Sequence, residues 1–215
     1  AVVDNALLMH AIANSETAMQ RIANSQTAMQ RVANNRGAMD AIGRSRIARD
    51  AVQASPYYNS YIKENDMAIA KLAVALANLE SAGYSGMAGV AADSTAMTAV
   101  AASATAMGKI AAVDAALSKL AASTTAMDAL YARKKKLNGG SASKSGKFII
   151  LEISASNAFN TSKYGYATLS DGSKPDWSDY LAKYAFFRQY PKYATYMLND
   201  TDSDDYIYYF DIASP

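Results

Sequence analysis

A methionine recurs every ten residues at the start of this chain, and this spacing constrains the fold more than any other feature. The methionines are Met9, Met19, Met29 and Met39, and the apolar residues three positions after them are Ile12, Ile22, Val32 and Ile42. The pattern resumes after an interruption with Met97 and Val100, Met107 and Ile110, Leu117 and Leu120, and Met127 and Leu130. A fixed short period predicts an array in which each repeat buries its apolar face against neighbouring repeats or other chains.

Each ten-residue repeat, or decad, has the composition of a helix. Ala, Met, Gln, Arg and Lys favour helix, and a spacing of three places the Met and the Ile on one helical face. Ten residues fall about 80° short of three helical turns, so the apolar stripe drifts around the helix. Two arrangements fit this drift: an overwound coiled coil with Ser15, Ser25 and Ser45 in core positions, or a chain of short helices, each opened by a Ser or Thr N-cap. The sequence leaves both open.

The apolar stripe of the decads is narrow, because each repeat supplies little more than one Met and one Ile or Val. Partner helices usually bury a stripe of this width. We therefore expect a parallel homotrimer whose core consists of the repeated residues named above. The alternative is an intramolecular bundle of three long helices, broken near Pro56 and Gly83.

Composition changes sharply along the chain. Methionines concentrate before residue 130, whereas all Phe, the only Trp and most Tyr lie after residue 143. The predicted fold class is α + β in separate regions, with an elongated helical stalk followed by a small β-rich tip. The predicted domains are a decad-repeat stalk over 1–55, a joint with a short apolar helix over 56–86, a second stalk over 87–137, a linker over 138–146 and the tip over 147–215.

Apolar and alternating runs predict five strands and one short helix in the tip. The strands are expected at 147–154, 164–169, 184–188, 193–198 and 206–212, and the helix at 176–183. A module this small is marginally stable alone, which also favours an assembly of several copies.

The aromatic residues of the tip predict a recognition surface. They exceed what a small core buries, and Tyr and Trp offer flat apolar faces with a polar edge, suited to sugar rings and protein epitopes. The expected receptor-binding residues are Tyr164, Tyr166, Trp177, Tyr180, Tyr190, Tyr193 and Tyr208.

The remaining composition argues against several kinds of site. The chain has no Cys and a single His, His10, which leaves little basis for thiolate or histidine catalysis. A formal charge of +2 gives no strong field for nucleic acid, and no apolar run approaches the roughly 18 residues of a membrane span. The basic run 133–136 fits a solvated helix end. We expect no cofactor.

One acidic segment partly matches a calcium loop. Asp200, Asp202 and Asp204 have the alternate spacing of calcium ligands, but the sixth position is Asp205 where such loops carry Gly. A solvated acidic turn is therefore favoured over a metal site.

Two repeat segments carry a resemblance to a known group of proteins. NSQTAM at 24–29 and STAMTAVAAS at 94–103 resemble the repeats of bacteriophage tail-fibre and minor tail proteins, and the resemblance covers residues 1–130. It implies a trimeric fibre in the virion, bound to other tail proteins, whose distal part contacts a glycan or protein on the host surface. The tip matches no such family, so no binding residue is carried over.

The resemblance favours a structural and recognition protein rather than an enzyme. Two alternatives remain open at this point. The first is a tip that degrades surface polysaccharide, and the second is a trimeric adhesin on a bacterial surface.

Overall fold

The computed structural model describes residues 3–154, 165–175, 182–200 and 205–215. Helices occupy the N-terminal region and an antiparallel sheet occupies the C-terminal region, which confirms the prediction of α + β in separate regions. The chain divides into two compact units, Ala1–Ala116 and Leu117–Pro215, which we call the decad-repeat unit and the sheet unit. This division falls inside the predicted second stalk, 87–137, and not at the predicted linker. Within the described residues, no helix combines the length and hydrophobicity needed to cross a membrane.

The decads form short helices, which excludes a continuous coiled coil along these residues. Before the interruption they are α1 (Ala6–Ile12), α2 (Glu16–Ala23), α3 (Gln26–Asn34), α4 (Arg36–Arg44) and α5 (Arg46–Ala54). A π-helix (Tyr58–Lys63) and α6 (Asp66–Leu76) follow. The second array contains α7 (Met87–Ala92), α8 (Ser94–Ala101), α9 (Ala104–Ala111), α10 (Asp114–Ala122) and α11 (Thr124–Tyr131).

At most decads, a residue whose side chain caps the helix separates that helix from the one before it. Ser25, for example, has an extended backbone (φ −107°, ψ 115°), and its Oγ accepts a hydrogen bond from the N–H of Ala28 at 3.3 Å. The same bond forms at Asn5, Ser15, Asn35, Ser45, Asn65, Asp93, Ser103 and Ser123. The serines are therefore N-caps and not coiled-coil core residues, because their side chains compete well for helix N-terminal amides.

Each decad helix in the first array packs against the helix three positions later. α1 contacts α4, α2 contacts α5, and α3 contacts the π-helix. Two capping serines also bond to the helix layer that precedes them. The hydroxyl of Ser45 donates to the backbone carbonyl of Ala13 at 2.7 Å, and the hydroxyl of Ser55 donates to the backbone carbonyl of Ala23 at 2.5 Å. A full turn of the array is thus about three decads, and its contacts are made within one chain.

The methionine ladder is buried inside its own chain, which corrects the expectation that it needs partner copies. All the predicted oligomer-core residues except Ile12 and Ile22 are fully buried, and those two are partly buried. The buried set is Met9, Met19, Met29, Val32, Met39, Ile42, Met97, Val100, Met107, Ile110, Leu117, Leu120, Met127 and Leu130. Successive turns of short helices therefore cover most of the narrow stripe, and only its first part, at Ile12 and Ile22, stays partly exposed.

The segment around α6 is the most apolar part of the decad-repeat unit. Its fully buried Lys71 forms an ion pair with Asp40 and donates to the carbonyl of Ser81 at 2.9 Å. Asp66, the first residue of α6, accepts a hydrogen bond from the N–H of Met87 at 3.2 Å and so caps α7 from a distant part of the chain. Gly86 precedes α7 because a side chain there would collide with the Asp66 carboxylate.

The described residues of the sheet unit form five antiparallel strands in the order β1-β5-β2-β4-β3. The elements are β1 (Lys135–Asn138), β2 (Ala142–Ser154), β3 (Gly165–Leu169), α12 (Ala185–Gln189), β4 (Ala194–Asn199) and β5 (Tyr206–Asp211). One face of the sheet carries the core, which includes Phe148, Ile150, Met197, Ile207 and Phe186 of α12.

Four of the five predicted strands match β2, β3, β4 and β5. The prediction of a strand at 184–188 is wrong, because Ala185–Gln189 is α12, with the Phe186 and Tyr190 rings 5.2 Å apart. The prediction of a linker at 138–146 is also wrong: these residues form the end of β1, a turn and the start of β2. Most of the predicted helix at 176–183 lies outside the described residues.

Candidate functional site

One face of the sheet packs on the core described above, and the opposite face carries half-buried tyrosines beside the fully buried Ile149 and Phe210. Ile207 and Tyr209 of β5 point into the core. Side chains alternate along a strand, so the half-buried Tyr206 and Tyr208 lie on the opposite face. The same alternation places Tyr166 of β3 and Tyr196 of β4 on that face, where their rings are 5.6 Å apart. We call this surface the tyrosine face.

The tyrosine face contains a cluster of rings next to the end of α11. Tyr131 of α11 meets Tyr208 edge-on at 6.0 Å between ring centres, and Tyr208 lies 4.5 Å from Tyr206. Tyr131 also meets Tyr184 edge-on at 5.7 Å. These four residues, which we call the tyrosine cluster, come from three separate segments of the sheet unit.

A buried carboxylate, Glu152, holds the cluster together. The phenol of Tyr131 donates to Glu152 Oε2 at 2.5 Å, and the phenol of Tyr206 donates to Oε1 at 3.3 Å. Glu152 is only 7% exposed. Both carboxylate oxygens therefore have partners, which is the condition for burying a charge at tolerable cost.

A β-bulge in β2 points Glu152 towards the tyrosines. Ile150 pairs with Tyr209 and Glu152 with Tyr208, so Leu151 is an extra residue between the two pairs. Without it, alternation would place Glu152 on the same face as Ile150, inside the apolar core. Bulges commonly redirect a side chain in this way.

Lysine side chains cover the cluster. Lys134 Nζ lies 4.2 Å from the ring centre of Tyr131 and 5.1 Å from that of Tyr208. Lys136 Nζ lies 5.0 Å from the ring centre of Tyr206. Both lysines are exposed. The basic run therefore does more than solvate a helix end, because its cations lie over aromatic faces at cation–π distance.

A second polar contact fixes Tyr184. Its backbone is left-handed (φ 71°), its N–H donates to the Leu151 carbonyl at the bulge, and its phenol donates to Asp128 of α11. Lys183 forms an ion pair with the same Asp128 at 3.1 Å. The bulge, α11 and the start of α12 are thus held as one arrangement.

The cluster changes the titration of its phenols. Burial, followed by the bond to Glu152, raises the pKa of Tyr131 well above its ordinary value. Burial and the Glu152 charge likewise raise the pKa of Tyr206. The hydrogen bond from Tyr184, followed by that from Lys183, lowers the pKa of Asp128. At neutral pH the phenols are therefore protonated donors to Glu152, and the lysines are the groups presented to solvent.

The predicted receptor-binding residues separate into three groups. Tyr166 and Tyr208 lie on the tyrosine face. Tyr190 packs against the core, and Tyr193 lies just before β4 with Lys147 Nζ 5.6 Å from its ring centre. Tyr164, Trp177 and Tyr180 lie outside the described residues.

Of the tyrosine cluster, the sequence predicts only Tyr208 as a binding residue. It places Tyr131 and Lys134 in the second stalk, 87–137, and does not single out Glu152. The sequence did offer one signal, the closeness of Tyr131 to the basic run 133–136. When a helix ends and a strand begins within a few residues, the last helical residues and the lysines of the strand lie beside the same sheet.

The weak calcium candidate gains no support. Asp200 accepts a hydrogen bond from the hydroxyl of Ser141, while Asp202 and Asp204 lie outside the described residues. In the part of the chain that the structure describes, no three acidic, His or Cys residues are grouped to hold a metal ion.

Comparison with known proteins adds no assignment. No protein-family model matches this chain, and no curated protein gives a significant match.

Proposed function

We propose that this protein is a structural and host-recognition component of a phage tail fibre, in which the decad-repeat unit serves as stalk and the tyrosine face binds a cell-surface glycan. The observation that carries the binding proposal is the tyrosine face itself, where half-buried rings and exposed lysines share one side of a small sheet. The assignment to a virion rests on the resemblance of the decads to tail-fibre repeats.

The chemistry of the tyrosine face suits a sugar polymer. Aromatic rings stack against the C–H faces of sugars, and the ammonium groups of Lys134 and Lys136 donate to hydroxyl or carboxylate oxygens. A shallow surface of this kind binds weakly per copy. Several copies on one particle raise the overall affinity by orders of magnitude, about 10²–10⁴-fold for linked sites.

An elongated trimer belongs to the same proposal. Burial of the methionines within one chain removes the argument that first suggested it, so trimer contacts would use other residues. Measurement of the particle mass of the whole chain in solution tests this: a mass of three chains supports the trimer, and a mass of one chain contradicts it.

The binding proposal is tested with the whole protein and a panel of purified bacterial surface polysaccharides. We expect Tyr208→Ala to weaken binding of the recognised polysaccharide by roughly tenfold, the magnitude of one aromatic contact. Tyr208→Phe keeps the ring and should keep most of the binding. Unchanged amide-exchange protection in β5 shows that the sheet is intact in both variants.

Two outcomes would count against this function. Equal binding by wild type, Tyr208→Ala and Tyr166→Ala would remove the tyrosine face from recognition. New reducing ends in the same incubations would instead support the alternative of a polysaccharide-degrading tip. Immunogold labelling of bacterial surfaces rather than virions would support the adhesin alternative.

A further inference from the structure

The first three decad helices expose a face that later decads bury. In each decad, the residue three positions after the cap points towards the preceding turn. It is fully buried at Ala38, Ala48, Ala68, Ala96 and Ala106. At the same position, Leu8 is 41% exposed, and Ala18 and Ala28 are only partly buried. We call this surface of α1–α3 the open face.

The opposite side of the same helices is covered. The residue eight positions after each cap points towards the following turn, and Ala13, Ala23 and Ala33 are buried there. Between these two sets of equivalent positions, the exposure therefore falls on the side where another turn of the array would lie.

The open face is apolar. Leu7 is 82% exposed, and it and Leu8 are the exposed large hydrophobic residues among those the structure describes. Beside them runs a groove with a volume of about 480 Å³ between α1 and α2, lined by Leu8, Ile12, Ala18 and Ile22 together with three polar side chains. Exposed apolar surface of this kind marks an interaction site.

The caps on the open face lack a bond that their equivalents make. Ser45 and Ser55 are 4% and 7% exposed and donate their hydroxyls to a carbonyl of the preceding turn. Ser15 and Ser25 accept the same capping bond from within their own helix, yet no carbonyl of the described residues accepts from their hydroxyls. Each hydroxyl therefore keeps the donor that Ser45 and Ser55 use to bond to a neighbouring turn.

We propose that the open face is the docking surface for one further turn of decad-repeat helices, supplied by a polypeptide segment with the same ten-residue pattern. Continuity with an existing interface supports this occupant, because α4, α5 and the π-helix already pack against the other side of α1–α3 in this manner. A second copy of this chain lacks the matching surface, since its corresponding alanines at Ala101 and Ala111 are themselves buried. The inference is independent of whether the sheet unit binds a glycan.

The docking segment must carry a small residue opposite α1. Leu7 and Leu8 stand where α4 has Gly37 and Ala38, and a Cβ on Gly37 would lie 2.7 Å from the Cβ of Ala6. If the docking segment approached α1 as closely as α4 does, an Ala in the segment would collide with Leu7. One of the two helices would then have to move apart slightly.

The test extends the whole chain by a second copy of residues 5–34, placed directly before residue 5 so that the decad phase is unbroken. In one version the original α1 also carries Leu7→Gly and Leu8→Ala, which reproduces the sequence of α4 at these positions. We expect the added residues to fold on the open face, to slow amide exchange in α1–α3 at least tenfold and to raise Tm by several degrees. The version with Leu7 and Leu8 retained should show a smaller effect.

A matched control carries the same added residues in scrambled order. Equal protection by the scrambled and ordered extensions, or no protection by either, would overturn the proposal. A dimeric wild-type chain that Leu8→Glu converts to a monomer, with loss of protection in α1–α3, would overturn it in favour of a second copy. A monomer whose open face is protected only by the ordered extension supports it.

Discussion

The two units of this protein reach a buried core by different means. In the decad-repeat unit, one local device recurs: a cap, a buried Met and a contact with the helix three positions away. In the sheet unit, the arrangement depends on single irregularities, the bulge at Leu151 and the left-handed Tyr184. Repetition distributes stability over many equivalent sites, whereas the sheet unit concentrates it at a few unique ones.

The difference is clearest in how each unit treats a buried charge. Lys71 in the decad-repeat unit and Glu152 in the sheet unit are both buried, and each interrupts its local pattern. Lys71 satisfies a carboxylate and a loop carbonyl, while Glu152 satisfies two phenols. Substitutions at these two residues therefore test how much stability a single unique contact contributes in each unit.

The largest effect is expected from Lys71→Met, which tests whether a unique contact dominates the repeated unit. Loss of the ammonium leaves Asp40 and the Ser81 carbonyl without their shared donor, and breaking a buried pair costs about 3–5 kcal/mol. Urea unfolding followed by amide exchange in α4 and α6 measures the free energy of unfolding of this unit.

Arg44 gives the matched control for that experiment. It forms an exposed ion pair with Glu80 at 3.0 Å, and such pairs contribute about 1 kcal/mol or less. A Lys71→Met variant no less stable than Arg44→Ala would show that the buried pair is dispensable.

The next effect distinguishes two kinds of cap within the repeats. Ser45→Ala removes the cap and also the bond to Ala13, so we expect a loss of about 2–3 kcal/mol. Ser25→Ala removes only a cap and should cost about 1 kcal/mol. Denaturation midpoints of the two variants provide the measurement, and equal losses would mean that the bond between turns contributes nothing.

The last comparison concerns two tyrosines with raised pKa values, one in each unit. Burial raises the pKa of Tyr58 from 10.0 to about 12, and burial together with Glu152 raises that of Tyr131. Folding thus favours the protonated phenols, so their contribution is complete below pH 10 and is lost as pH rises through the folded pKa values.

Replacement by Phe separates the two cases. The buried hydroxyl of Tyr58 has no hydrogen-bond partner among the described residues, so Tyr58→Phe should change stability at pH 7 by less than about 1 kcal/mol. Tyr131→Phe should cost about 1–2 kcal/mol because Glu152 loses a donor. Each variant should flatten the decline of stability above pH 10 in its own unit, measured by urea unfolding at a series of pH values. A decline as steep as that of the wild type would contradict the assignment.

The helical nature and phase of the decads followed from sequence, because cap, Met and Ile recur at fixed positions. The partner of each helix did not follow. A ten-residue period is compatible with contacts between chains or with any later turn, and the spacing of about three decads is seen only in the folded structure, in bonds such as that from Ser45 to Ala13. The prediction of a trimer depends on an apolar stripe too narrow to fold without partner helices. The chain's own later helices act as those partners.

In the sheet unit, alternation located four strands but not the site. The run 184–188 is short and apolar, and such a run fits a strand or a helix equally well. β1 was hidden because its lysines suggested a helix end. Glu152 could not be placed, because a one-residue bulge changes which face every later side chain occupies.

The bond between Asp66 and the N–H of Met87 has a consequence for the order of folding. α7 has only six residues, far fewer than the roughly 12–15 that an isolated helix needs in water. Its first turn is stabilised by the Asp66 carboxylate, which is in position only when α6 has formed. We therefore expect α7 to form only after α6, so that the second array assembles on a helix that has already folded.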